Sequence, residues 1–368
     1  MSAQLEILLI AIVTAVACAL PGAFLVLRQV SMLSDAISHA ILPGIVVAYF
    51  LTEDLNSPVL ILGAAATGVL AAALIEALSR TRRVKGDAAI GLVFPILFSI
   101  GVILIARYAG GVHLDVDAVL LGELAFAPFN RVVIGGIDLG PKALWVMSSI
   151  LLLNLGFIGS LYKELKLSTF DPALAASLGF SPVVLHYLLT GLVSVTAVGA
   201  FDAVGSVLVV ALMVGPPATA YLLTDRLSRL LLVSAVIGAA AAVIGYGVAY
   251  LLDASIAGAM ASAVGVLFGV ALLFAPNQGL LSALQRRAQQ RRRFAQHMLL
   301  VHLLHHEGTP EEVRECHPQH LQEHLRWGGD TAEIAIRSAL RERMVERRGE
   351  ILRLTETGRS AAREVMVA

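Results

Sequence analysis

A succession of long apolar runs constrains this chain more than any other feature. A helix needs about 20 apolar residues to cross the hydrocarbon core of a bilayer. Runs of this kind can be drawn at 5–27, 33–51, 57–79, 88–109, 143–160, 183–200, 203–223, 229–252 and 256–275. The count of eight or nine turns on "VGAFDAVGS", 198–206, which is too short for a comfortable loop and also reads as a break inside the bundle. Apolar residues make up 57% of the chain and charged residues 15%, and the mean hydropathy is +0.80. Soluble domains hold about 45–50% apolar residues, so a soluble protein is excluded. The expected fold class is an all-α polytopic membrane protein. Small residues crowd runs such as "GAAATGVLAAALIEAL", and they let helices approach closely where lipid supplies no hydrophobic drive. The first run lacks a basic leader and a small-residue cleavage site, and it reads as a retained span.

The formal net charge of zero hides an uneven distribution, sparse up to Leu281 and dense from Arg286 onward. A membrane domain over 1–280 and a polar tail over 286–368 are therefore expected. If nine spans alternate, Arg28, Arg80, Arg82, Arg83, Lys85, Lys163, Lys166, Arg226 and Arg229 share one side. The positive-inside rule makes that side cytoplasmic, with the N-terminus outside and the tail inside. Cys18 and Cys316 show neither disulfide nor zinc spacing.

In the tail, "RFAQHMLLVHLLHH" and "TAEIAIRSALRERMVE" have the apolar spacing of amphipathic helices, with Asp330 and Thr331 as a capping start for the second. "RRGEILRLTETGRSAARE" then reads as a strand, a turn and a closing helix, and "LTETGRSAA" resembles the end of a wing. The order resembles a small cytoplasmic winged-helix-like (α+β) domain. Arg337, Arg341 and Arg343 would put basic charge on its recognition helix, but Glu342 and Glu346 dilute it. A protein-contact or regulatory role is expected, and nucleic acid is not expected as a partner. The tail holds His297, His302, His305, His306, His317, His320 and His324. His320 and His324, four apart, are a candidate regulatory metal pair.

Two stretches carry chemistry. In "SDAISHAILPG", 34–44, Asp35 and His39 lie four apart inside an apolar run, with Ser31, Ser34 and Ser38 nearby. That spacing puts both on one helix face. A charged side chain in mid-membrane costs roughly 2.5–3.5 kcal/mol and marks a transport path or a partner. Carboxylate and imidazole together suit divalent manganese, iron or zinc, and a two-fold axis beside the helix would double two ligands to four. Spacing alone also allows a helix mouth capped by Ser31 to Asp35, with His39 bonded to backbone. Pro43 and Gly44 follow directly and can kink the span. The second stretch is "KELKLSTFDPALAASLGFSP", 163–182. Asp171 fits an N-cap, Pro172 the first helical position, Gly179 a stop and Pro182 the next start. A short, stiffly bounded surface helix results, as a connecting turn or as a docking element.

Together, "GAFLVLRQVSMLSDAISHAILPGIVVAYFL", "GDAAIGLVFPILFSIGVIL", "TFDPALAASLG" and "VGSVLVVALMVGPPATAYLL" resemble, in order and spacing, the membrane subunits of bacterial metal-ion ABC importers of the manganese, zinc and iron type. The resemblance covers most of residues 5–275. It implies a permease subunit in the bacterial cytoplasmic membrane, two copies of which enclose the pathway. It makes Asp35 and His39 the metal ligands, and it makes Asp171, Pro172, Leu174, Leu178 and Gly179 the helix that couples to the ATPase. Cytoplasmic ABC ATPase subunits and an extracytoplasmic metal-binding protein are the implied partners. The metal, manganese ahead of zinc or iron, is cargo, and no permanently bound cofactor is expected. No G-x-x-x-x-G-K-[ST] phosphate loop occurs in the sequence, so ATP hydrolysis belongs on another chain and this one is not an enzyme. His113, Asp115 and Asp117 in "GVHLDVDAVLLGE" read as a solvated docking loop or as an entry point for the ion. The alternative is a proton-coupled metal transporter of the cation diffusion facilitator type, which also uses Asp and His four apart; a second intramembrane pair is not evident along the sequence. An intramembrane metalloprotease would need H-E-x-x-H, which "HLLHHE" does not supply.

Overall fold

The computed structural model describes residues 2–53, 57, 59–81, 83–108, 124–134, 137–276, 278–324 and 329–367. They fall into two compact units, Met1–Pro276 and Asn277–Ala368. Nine helices or helix pairs among the described residues are long and apolar enough to cross a membrane. In chain order the first unit contains α1 (Ala3–Leu27), α2 (Met32–Ala40), α3 (Leu42–Thr52), α4 (Val59–Arg80), α5 (Gly86–Tyr108), β1 (Arg131–Ile134), β2 (Ile137–Pro141), α6 (Lys142–Ser160), α7 (Tyr162–Phe170), α8 (Pro172–Ser177), α9 (Pro182–Val204), α10 (Ser206–Leu223), α11 (Leu227–Leu252) and α12 (Ile256–Phe274). Helices α2 and α3 share one span, Met32–Thr52.

The ambiguous stretch 198–206 divides two spans. Helix α9 runs to Val204 and α10 starts at Ser206, with Gly205 alone between them at φ +79°. That left-handed conformation carries no steric cost for glycine, so a single residue makes the turn and nine spans result.

Helix α1 is central and packs against α6, α9, α10 and α11. Its inner face is small: Ala11, Ala15, Ala17, Cys18 and Ala23 are fully buried. Ala241 and Ala242 of α11 are equally buried, so backbones approach as the Gly and Ala content implies. One polar cluster lies within this packing. The Asn154 side-chain amide donates to the Ala17 carbonyl at 2.9 Å, and the Asn154 and Thr196 side chains bond to each other. A buried polar group left without partners costs about 1–3 kcal/mol; these bonds remove that cost and fix the register of α6 and α9 on α1.

The long connection from about Arg107 to Lys142 contains an element the sequence does not announce. Strands β1 and β2 pair antiparallel, with Val133 opposite Asp138. Arg131 reaches Asp138 Oδ2 at 2.6 Å and Glu6 Oε2 at 3.0 Å, which neutralises the buried Glu6 near the start of α1. The Gly140 N–H and then the Arg131 guanidinium hold the Asp138 carboxyl below its usual range. His113, Asp115 and Asp117 lie outside the described residues.

The second unit contains α13 (Leu280–His306), α14 (Glu312–Glu315), α15 (Pro318–His324), α16 (Gly329–Arg341), β3 (Val345–Arg348), β4 (Ile351–Leu354) and α17 (Glu356–Val367). Its core is Leu299, Leu300 and Leu303 of α13 against Leu321, Ala335, Ala339, Val345, Leu352, Leu354 and Ala362. The expected second amphipathic helix is corrected at both ends. It begins at Gly329, so Asp330 and Thr331 lie inside it, and it stops at Arg341. Arg343 turns at φ +56°, and Met344 then leads into β3, which pairs antiparallel with β4. The sequence "MVE" is apolar at helical spacing but is taken by the strand, because Val345 fits the core opposite Leu354. Arg359 clamps Glu307, with Nη2 at 2.7 Å from Oε1, and that hydrogen-bonded guanidinium holds the Glu307 carboxyl below its usual range. Burial, then the carboxylates of Glu312, Glu307 and Glu315, push the Cys316 thiol up to about 11.

Candidate functional site

The span that carries the sequence's polar pair is broken. After α1, Arg28 and Gln29 turn the chain, Gln29 at φ +58°. Helix α2 then starts at Met32 and stops at Ile41, and α3 resumes with Pro43 in its first turn. Proline is favoured in a helix's first turn, where its missing N–H goes unneeded. Gly44 sits where α3 meets α4: a β-carbon there would collide with Thr67 Oγ1 and the Gly63 carbonyl. The pair "PG" therefore performs both roles, restarting the helix and bringing it against α4.

Asp35 and His39 lie on one face of α2, with His39 Nε2 at 3.5 Å from Asp35 Oδ1. Their side chains are 43% and 29% exposed. The His39 ring lies against two aromatic rings of α5, Phe94 at 5.8 Å and Phe98 at 6.3 Å between centroids. At 1.5 Å per residue the two side chains stand about 5 and 10 Å along the axis from the start of α2. The nearby serines are engaged with their own helix: Ser34 Oγ donates to the Ser31 carbonyl and Ser38 Oγ to the Ser34 carbonyl, each at 2.9 Å. Ser31 makes no side-chain cap bond and Asp35 is within the helix. The capping alternative thus loses its cap, and the two donor groups stay on the open face. An imidazole and a carboxylate 3.5 Å apart can chelate one divalent ion from one side and leave its other positions open.

The second stretch forms α8. Asp171 Oδ1 accepts the Leu174 N–H at 2.9 Å, Pro172 opens the helix, and Gly179 follows it at φ +88°. Ser181 and Pro182 start α9 directly. Ala175 is buried, whereas Phe170, Leu174, Leu178 and Phe180 are exposed at 59%, 45%, 60% and 39%. The short helix, bounded at both ends, thus presents a cluster of exposed apolar side chains, a feature that marks interaction sites.

Along the sequence Arg28 is only one of the basic residues that set orientation. In the structure its Nε donates to Thr169 Oγ1 at 3.1 Å and Nη2 to Ser168 Oγ at 3.0 Å. Arg28 thereby links the turn just before α2 to the end of α7 just before α8. Glu76 of α4 and His186 of α9 form a second acid–imidazole pair, at 4.0 Å. Nothing along the sequence connects residues so far apart, so the expectation that a second pair is missing needs correction. A second intramembrane pair is a feature shared with a diffusion facilitator. In the tail, His320 Nε2 meets Glu315 Oε1 at 3.2 Å, while the side chain of His324 lies outside the described residues. A cavity of about 610 Å³ is lined by Gln4, Ile7, Phe126, Tyr246, Tyr250 and Asp253, and it includes none of the pair's residues.

Known proteins are similar to this chain over most of its length. The zinc transport system membrane protein TroD of Treponema pallidum is 48% identical over 97% of this chain and 97% of its own length. The manganese transport system membrane protein MntD of Bacillus subtilis is 48% identical over 77% of this chain and 95% of its own. The alignment with TroD therefore extends through the tail. Among solved structures, PsaBC from Streptococcus pneumoniae in complex with Fab contains a chain that superposes with a TM-score of 0.63 at 28% identity. It covers 76% of this chain and 94% of that one. The model of the ABC 3 transport family matches residues 3–275, all nine candidate spans together with the α2 pair and α8, and the chain belongs to that family.

Proposed function

We propose that this protein is the permease subunit of an ATP-binding-cassette importer that carries a divalent transition-metal ion through a pathway formed by two copies of the chain. The observation that carries the proposal is the Asp35–His39 pair, two metal donors held 3.5 Å apart on the open face of a broken membrane helix. One chain offers one oxygen and one nitrogen from this pair. A second copy related by a two-fold axis beside α2 supplies the same again, which completes a four-ligand cage. Relatives are named for manganese and for zinc. Carboxylate oxygen is the donor that suits manganese best among these ions, and manganese is the cargo we assign.

The mechanism is alternating access. The ion enters from the side of the β1–β2 hairpin, delivered by a separate binding protein, and sheds water as carboxylate and imidazole replace it. ATP is hydrolysed on separate cytoplasmic chains that grip α8, and Arg28 relays the motion of α7 and α8 to the turn before α2. The N-terminus is then outside and the tail in the cytoplasm, consistent with the charge asymmetry of the connections. The family match and its nine spans favour this reading over a diffusion facilitator.

The test is uptake of ⁵⁴Mn in cells whose own uptake systems are deleted. Asp35→Ala and His39→Ala should each reduce transport to background while the variant still co-purifies with the ATPase. Wild-type uptake in both variants refutes the ligand assignment. Competition by zinc and iron(II) in the same assay ranks the cargo.

A further inference from the structure

A cluster in the second unit is not used by the pathway. His302 and His306 lie one turn apart at the end of α13, with ring centroids 4.7 Å apart. Glu315, the last residue of α14, faces them: its Oε2 is 4.0 Å from His302 Nε2, and the two side chains are only 10% and 8% exposed. One donor atom from each of His302, His306 and Glu315 lies within 4.8 Å of the others. His320, in the first turn of α15, brings a third imidazole to the same carboxylate at 3.2 Å.

The sequence explains why these four meet. His302 and His306 are four apart, so α13 shows both on one face. That face also carries Leu299 and Leu303 into the core. Cys316 and Leu321 enter the same core on either side of the Pro318 turn. Core packing therefore delivers Glu315 and His320 to the end of α13. An ionised carboxylate so well enclosed needs positive charge or strong donors around it. Imidazoles gather at this carboxylate, whereas Arg359 pairs with Glu307 and Arg353 with Glu312 elsewhere in the same unit. Imidazole holds a lone pair for a metal where guanidinium holds none.

We propose that His302, His306, Glu315 and His320 form a second metal site, specific for divalent transition metals and separate from the transport pair. Nitrogen and carboxylate donors with no thiolate select zinc, manganese, iron(II) or cobalt over soft ions. Tetrahedral coordination with bonds of about 2.0–2.1 Å sets neighbouring donors about 3.4 Å apart. The donors of His302, His306 and Glu315, within 4.8 Å of one another, reach that spacing by drawing together by up to about 1.4 Å, and His320 Nε2 already stands 3.2 Å from Glu315 Oε1. His302 Nε2 lies 3.1 Å from the Glu315 main-chain oxygen. Binding through Nε2 replaces that contact and leaves the proton on Nδ1, the usual tautomer exchange of a metal-bound histidine. An ion held here ties α13, α14 and α15 together, so its release loosens the end of a 27-residue helix.

The test uses the full-length protein purified in detergent, with Asp35→Ala and His39→Ala introduced so that the pathway pair cannot bind. Titration with cobalt(II) should give one ion per chain with the visible absorption bands of nitrogen and oxygen coordination, and zinc should displace it. Adding His306→Gln, a partly exposed position at the helix end, should weaken binding at least about 10-fold, a loss typical even of outer-shell partners. His297→Gln should leave it unchanged. Zinc should also raise the melting temperature of the parent but not of the His306→Gln protein, and the metal-free proteins should melt alike, which separates lost binding from lost folding. Absence of cobalt binding in the parent, or equal binding after His306→Gln and His302→Gln together, overturns the proposal. Neither result depends on whether Asp35 and His39 carry the transported ion.

Discussion

At the scale of single residues, Arg28 is the most consequential addition to the sequence's own candidates. Its guanidinium makes two hydrogen bonds to hydroxyls at the end of α7, and three residues later the chain enters the turn that starts α2. In the proposed mechanism these bonds are the link through which α7 and α8 move the helix that bears Asp35. Arg28→Ala removes both bonds, while the protein keeps Asp35, His39 and the exposed side chains around α8. Uptake should fall about 10-fold or more, because a relay that costs 1.4 kcal/mol costs a factor of ten. ATP hydrolysis in the assembled transporter should persist, and equal losses of hydrolysis and uptake would show damage to assembly instead. Arg28→Lys keeps the charge but not the fork of donors, so it should rescue only in part.

At the scale of elements, α8 is a helix of six residues that would be marginal alone. Its shape comes from boundaries: the Asp171 cap, Pro172 in the first turn, Gly179 at positive φ and the Ser181–Pro182 start of α9. The exposed Leu174 on it and Leu178 at its C-cap lie one turn apart. Replacing residues 171–179 with a flexible Gly-Ser linker of equal length should leave the membrane helices folded and abolish the stimulation of transport by ATP. Reconstituted vesicles with the cognate ATPase read this directly, and undiminished ATP-driven uptake would remove α8 from the coupling role. Leu174→Asp should weaken co-purification of the ATPase, since a carboxylate in an apolar groove loses its solvation.

At the scale of the whole molecule, the proposed cage requires two chains. Fusing two copies in tandem, through a linker that itself crosses the membrane once because nine spans put the two ends on opposite sides, allows one half to be altered alone. With Asp35→Ala and His39→Ala in one half only, a shared four-ligand cage loses half its donors, and uptake should fall nearly to that of the doubly altered fusion. Half of the parental uptake would mean that each chain carries its own pathway.

Much of this protein was legible in order along the chain. Bilayer thickness sets the length of an apolar run, so the spans could be drawn from hydropathy, and the structure moves their ends by a few residues. The i, i+4 spacing of Asp35 and His39 put both on one face before any coordinates, and so did the cap and stop signals around α8, because helical geometry is local. What needed the tertiary structure were relations between residues distant in sequence. Gly205 separates two spans by adopting one backbone conformation, which a run of apolar letters does not reveal. Arg28 finds Ser168 and Thr169 across 140 residues, Glu76 finds His186, and His302 finds Glu315 where the sequence pointed to His320 and His324. Periodicity records which way a side chain faces. Only packing decides what stands opposite it.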